Sequence, residues 1–366
     1  MKIPVSQPAL VGNEKKYVLD CLDSNWISSN GKYIRLFEQK FADYLGVKHA
    51  LTCCNGTVAL HLALLALGVG FGDEVILPTL TYVATANAVA YNGATPVLAD
   101  CEPDTWNMDP SKIETLITPR TKAIIPVPLY GHPCDMNPIL EIAQRHGLYV
   151  VEDAAEALGA RYKGSLCGSM ADISTFSFYG NKTITTGEGG MVVTNDDELA
   201  AKVRLFKGQG MDQNRRFWFP QIGYNYRMTN IQAAIGLAQM ENIELFLAKR
   251  CEIAGWYNKH LSGIPGITLP VIKKYAAHSW WLYSILIENE YGESRDAVMD
   301  RLSKNDVETR PFFYPMHIMP VYFVCGAPFD VSIEVASKGI NLPTYYDLCE
   351  QQILHVANVL RKLSTA

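Results

Sequence analysis

From about residue 48 to residue 245 the chain alternates short apolar, β-rich runs with helical runs, and few architectures accept that pattern. HALTCC, EVILP, TPVLAD, KAIIPVPLYG, LYVVEDA, ISTFSF and GMVVTN read as strands. TVALHLALLAL, TYVATANAVAYNG, NPILEIAQRHG and DDELAAKVRLF read as the helices between them. Strands that are apolar throughout and separated by helices predict a mostly parallel sheet covered on both faces. A ligand then belongs at the carboxyl ends of the strands. A long helical passage from Thr229 to about His260 follows, with Pro265 and Pro270 after it. The remainder mixes helix and strand, so the chain divides into a large α/β domain over 1–245 and a smaller α+β domain over 246–366. The first fifty residues are expected to pack against the smaller domain or cross the cleft.

Composition removes several classes. With 366 residues, 48% apolar and 19% charged, the chain is neither disordered nor a coiled coil, and its core needs no staples. A net charge of −5 with no basic block argues against a nucleic-acid groove or an anionic membrane surface. Nine cysteines, an odd number with no C-x-x-C pair, fit reduced and mostly buried thiols better than a disulfide framework or a metal site. MKIPVSQPAL has no apolar h-region, and no stretch reaches membrane-spanning length, so a cytoplasmic protein is expected.

Three loops at predicted strand ends carry the chemistry. Asn55-Gly56-Thr57 stands between a strand and a helix, where glycine lets the backbone approach an anion and the helix N-terminus offers free N–H groups. Such a turn by itself usually binds nothing. Asp153, in Glu152-Asp153-Ala154-Ala155-Glu156, ends the strand LYVV, where a buried carboxylate is costly unless it meets a cation or several donors. Its plain alternative is a helix N-cap. Lys182 lies between a β-rich run and a glycine-rich turn, five residues after Ser177. A desolvated lysine has a lowered pKa and can form a Schiff base with an aldehyde cofactor. An aspartate facing a pyridine nitrogen keeps that nitrogen protonated.

NGTVALHLAL, EDAAEALG, FSFYGNKTITTGEGGMVVTND and GYNYRMTNIQAAIGLAQ resemble the sugar-nucleotide aminotransferases of the DegT/DnrJ/EryC1/StrS family, and the similarity runs over nearly the whole chain. The resemblance implies a fold-type I enzyme with a mostly parallel seven-stranded sheet and pyridoxal phosphate as cofactor, passing through the pyridoxamine form. Lys182 matches the lysine that holds the cofactor and moves the proton. Asp153 matches the partner of the pyridine nitrogen, and Gly56, Thr57 and Ser177 match phosphate-binding positions. Tyr82 matches an aromatic over the ring. Asn225 matches a residue donated by the neighbouring subunit, which implies a homodimer with shared sites. Glu156 stands where relatives often carry histidine or glutamine, and its role stays open between cofactor and substrate contact.

WISSNGKYI, LYGHPCDM, KGQGMDQNRRFWFP, RPFFYPMHIMP and INLP resemble the branch of that family that aminates C4 of GDP-4-keto-6-deoxy-mannose, with glutamate as donor. On the substrate side the resemblance points to Trp26, Ser28, Tyr314 and His317. Arg215, Arg216 and Trp218 form a basic–aromatic cluster suited to a diphosphate or base. No metal is implied. The rival readings are a 4-aminotransferase for a dTDP- or UDP-linked sugar, and a non-catalytic regulator or scaffold that retains the fold.

Overall fold

The computed structural model describes residues 2–361 except 213, 325, 327 and 328. Cys325 and the chain ends that bound the two expected domains therefore lie outside the described residues.

Seven strands form the central sheet: β1 His49–Cys53, β2 Glu74–Pro78, β3 Thr95–Ala99, β4 Thr121–Ile124, β5 Tyr149–Asp153, β6 Ile173–Ser177 and β7 Gly190–Thr194. Their order is β1-β7-β6-β5-β4-β2-β3. All pairings are parallel except those of β7, which runs antiparallel to both β1 and β6. The strand expected over KAIIPVPLYG is shorter than its apolar run. Pro126 and Pro128 have no N–H for a ladder, so β4 stops at Ile124 and the chain continues into a single 3₁₀ turn, Leu129–Gly131.

Alternation along the strands fills two faces. Val75, Val151 and Val192 point into one cluster with Leu62 and Ala63 of the helix Gly56–Ala66 and Val203 of the helix Asp197–Lys207. On the opposite face Ile76 and Val150 pack with Ile139 of the helix Met136–His146. Farther along that face, Phe176, Met191 and Val193 meet Phe37 and Phe41.

Those two phenylalanines belong to the N-terminal helix Lys32–Leu45, which packs with Ala233 and Ala234 of the helix Asn230–Glu241. The first fifty residues thus lie mainly on the large sheet rather than against the smaller unit. Only the extreme N-terminus reaches the smaller unit, where Ile3 bridges Val307. The long helical passage is two helices, Asn230–Glu241 and Ile243–Leu261, broken at Asn242 (φ −114°, ψ 12°). Phe246 of the second helix packs with the large-sheet cluster, whereas Ile253, Tyr257 and Leu261 pack with a separate four-stranded antiparallel sheet. The division expected after 245 therefore falls inside one helix.

Eight described cysteines are free; Cys21, Cys53, Cys101, Cys134 and Cys167 are buried, and Cys251 and Cys349 are exposed. Among the described residues no helix is long and apolar enough to cross a membrane.

Candidate active site

The carboxyl ends of β1, β5 and β6 open on one cavity of about 470 Å³. Its floor is an anion cradle. Asn55 caps the helix Gly56–Ala66 by accepting from the Val58 N–H at 3.0 Å, which leaves the first-turn N–H groups of Gly56 and Thr57 without helical partners. Ser177, at the end of β6, closes against this turn. A Cβ on Gly56 would stand 2.7 Å from the Ser177 Cβ, so only glycine allows the approach. Helix N-terminus, hydroxyl and bare backbone together suit a phosphate.

Asp153, the last residue of β5, is buried. Thr85 donates to its Oδ2 at 2.8 Å and the Ala155 N–H to Oδ1 at 3.3 Å. Burial raises its pKa, while Thr85, Lys182 and the Ala155 N–H pull it back, and the net direction is upward. A carboxylate in this state gains most from a cationic N–H brought to it.

Lys182 sits in the loop 178–189 between β6 and β7. The loop is fastened at several points: Thr186 N donates to Phe178 O, Thr185 Oγ1 to the same carbonyl, and Gln232 Nε2 to Glu188 O. The Lys182 Nζ lies 3.8 Å from Glu156 Oε1 and 3.7 Å from the centroid of the Trp281 ring. Burial holds the amine below the usual lysine range, Glu156 and Asp153 draw it back up, and Arg310 pushes it down. Glu156 is pushed up to about 7 by burial, against the pull of Lys182 and of the Tyr130 N–H, which donates to its Oε2 at 2.8 Å. The result is a buried amine–carboxyl pair with both pKa values moved toward neutrality, an arrangement suited to proton transfer.

Seven of the residues singled out in the sequence converge here: Gly56, Thr57, Tyr82, Asp153, Glu156, Ser177 and Lys182 all line the cavity. Tyr82 is at the rim, half exposed, with its ring 5.7 Å from that of Phe313. The remaining candidates lie elsewhere in this chain. Asn225 is exposed and accepts from Arg227 Nε. Arg215, Arg216 and Trp218 occupy an exposed loop, where the Arg215 guanidinium stacks 4.1 Å over Trp218. Trp26 and Ser28 are exposed and tie by their carbonyls to Asn230. Tyr314 is exposed beside Phe313.

His317, expected on the substrate side, is set back from the cavity wall. It is buried, bonds Thr79 Oγ1 through Nδ1 at 2.7 Å and packs on Phe329, and it does not line the cavity. Burial also lowers its pKa, which favours the neutral ring.

Four residues at the site were not singled out from the sequence, although Arg310 and Phe313 lie in the stretch RPFFYPMHIMP. Thr85 reaches the site only through its bond to Asp153, and Trp281, Arg310 and Phe313 come from the C-terminal part of the chain, 99, 128 and 131 residues from Lys182. Among the described residues no cluster of metal-ligating side chains occurs.

The model of the DegT/DnrJ/EryC1/StrS aminotransferase family matches residues 8–361. GDP-perosamine synthase of Caulobacter vibrioides is 56% identical over 362 residues, covering 98% of this chain and 97% of that protein. GDP-perosamine synthase of Escherichia coli O157:H7 is 51% identical over 360 residues, 98% of each. Among solved structures, Helicobacter pylori PseC, an aminotransferase involved in the biosynthesis of pseudoaminic acid, aligns with a TM-score of 0.93 at 32% identity over 99% of both chains.

Proposed function

The chain belongs to the DegT/DnrJ/EryC1/StrS aminotransferase family, and from that premise we propose that it transfers an amino group from L-glutamate to C4 of GDP-4-keto-6-deoxy-D-mannose in the cytoplasm. The product would be GDP-perosamine for a surface polysaccharide, and the cofactor pyridoxal phosphate. The observation that carries this reading is the convergence of Lys182, Asp153 and the Gly56–Ser177 cradle on one cavity, in a chain 56% identical to a GDP-perosamine synthase.

The residues present fit the cofactor. The cradle at Gly56, Thr57 and Ser177 is shaped for its phosphate, the buried Asp153 for its ring nitrogen, and Lys182 for its aldehyde. Tyr82 stands at the rim for the ring face. When bound, pyridoxal phosphate supplies an electron-withdrawing ring and a carbon that carries the amino group between substrates.

The chain's own residues do the rest. Lys182 would hold the cofactor through Nζ and, as a free amine, would carry the proton to and from the sugar carbon. Asp153, oriented by Thr85, would keep a proton on the ring nitrogen through a charge-assisted bond. Glu156, fixed by the Tyr130 N–H, faces Lys182 as its counter-charge. Arg310 offers the cavity a second cation for the carboxylate or diphosphate of an incoming substrate.

A homodimer with shared sites completes this reading. Phe217, Trp218, Phe219 and Ile222 are 70, 51, 52 and 86% exposed, and such a run calls for cover. Asn225 lies at the foot of that loop and outside its own chain's cavity, where a neighbouring subunit can receive it.

Purified protein should be yellow and bleach when glutamate is added. A panel of 4-keto sugar nucleotides then tests the substrate. Turnover of the GDP-linked mannose derivative is expected, and turnover confined to a dTDP- or UDP-linked sugar would overturn the assignment.

A further inference from the structure

Two non-glycine residues beside Lys182 hold left-handed backbone: Tyr130 (φ 54°) and Trp280 (φ 56°). Aromatic residues seldom adopt this region and keep it only where the surroundings leave no alternative. Here the two segments hold one another. Ser279 N donates to Gly131 O at 3.0 Å and Leu282 N to Tyr130 O at 3.3 Å. Gly131 (φ 108°) permits the contact, since a Cβ there would stand 2.6 Å from Ser279 Oγ.

Each strained residue serves one neighbour of the amine. Tyr130 turns its N–H onto Glu156. Trp280 stacks on His278 with ring centroids 4.0 Å apart and donates its N–H to His278 Nδ1, and so sets the direction of Trp281. The buried Arg250 donates through Nη1 to the carbonyls of Trp280 and Trp281, at 3.2 and 2.7 Å. The Trp281 indole N–H in turn donates to the carbonyl of Asn181, the residue before Lys182, at 2.8 Å. With backbone and ring edge both tied, the indole keeps its face on the Lys182 Nζ at 3.7 Å.

We propose that Trp281 is a positioning residue for the catalytic amine, its indole face being the resting place of the Lys182 ammonium whenever that amine is off the cofactor. The inference rests on the aminotransferase reading above. A lysine that takes up a proton in a buried site becomes a cation without water. An aromatic face supplies electrostatic attraction in place of hydration. Unlike a carboxylate, the ring cannot accept the proton, so the amine retains it for delivery. Glu156, at 3.8 Å, also draws the ammonium, and Trp281 fixes where it waits.

The test uses the holoenzyme after glutamate has freed Lys182. Competitive labelling with acetic anhydride across a pH series, read by peptide mass spectrometry, gives the midpoint of the Lys182 amine. Trp281→Leu should lower that midpoint by about one pH unit, and Trp281→Phe by less. Site-specific fluorinated tryptophans at 281 keep the shape while weakening the face, so the midpoint should fall stepwise with fluorination even if Trp281→Leu fails to fold. The acidic limb of the kcat–pH profile should move with it. A midpoint unmoved across the fluorination series, with Lys182 still carrying the borohydride-fixed cofactor, overturns the role of Trp281 alone. Cofactor fixed on another lysine overturns the functional reading itself.

Discussion

The hydroxyl of Thr85 donates to Oδ2 of Asp153 at 2.8 Å, so a residue at the start of one helix sets the plane of a carboxyl at the end of a strand 68 residues later. The bond also favours the ionised form in a site where burial opposes it. Asp153→Asn should fold normally and lose at least about a hundredfold in kcat, as when a preorganised electrostatic partner is removed. Thr85→Val leaves the charge but frees the carboxyl, and a loss of about fivefold to tenfold is expected. Near-normal turnover by Asp153→Asn would refute the role given to this residue.

Lys182→Ala should abolish turnover yet still bind pyridoxamine phosphate, because the cradle and Asp153 come from other segments. Borohydride reduction and peptide mapping of the parent protein should place the pyridoxyl group on Lys182.

Gly56→Ala forces a Cβ to within 2.7 Å of the Ser177 side chain. Overpacking of this kind costs about 1–3 kcal/mol, here at the phosphate cradle. Cofactor affinity, measured by titration of the resolved protein, should fall roughly tenfold or more. An unchanged dissociation constant would show that the cradle does not hold the phosphate.

Glu152 precedes Asp153 and is fully buried, with the Gly168 N–H on Oε2 at 2.7 Å and the Cys167 thiol beside the carboxyl. Burial pushes its pKa up to about 7. A carboxyl raised on folding contributes stability below its unfolded pKa and loses it as pH climbs through the folded value. Glu152→Gln should abolish that loss. Relative to the parent protein its stability should rise between pH 4.5 and 8 by up to about 3 kcal/mol, read from denaturant melts at each pH. Parallel pH profiles for the two proteins would show that Glu152 is not protonated in the fold.

Mixing Lys182→Ala subunits with Asn225→Asp subunits tests the shared site. Asn225→Asp sets a carboxylate toward the neighbour's cofactor phosphate, where like charges oppose binding. An isologous hybrid has one site with both lesions and one with neither, so partial recovery of activity is expected. No recovery despite proven subunit exchange would mean that Asn225 serves its own chain.

Much of this protein was readable before any coordinates. The apolar strand runs, their helical spacers and the turn at Asn55-Gly56-Thr57 are local patterns, and local patterns survive folding because backbone propensity and side-chain period act over a few residues. For the same reason Lys182, Asp153 and Ser177 could be singled out: each terminates or follows a buried strand, where polar residues are expensive without a purpose. Tertiary structure decided what no short window contains. It turned β7 antiparallel, laid the N-terminal helices on the large sheet and buried His317 against Thr79. It also brought Thr85 to Asp153 and Trp281 to Lys182, across 68 and 99 residues. A threonine or tryptophan has no distinguishing pattern in its own neighbourhood. Its partner is set by the packing of whole layers, and that is a property of the assembled chain.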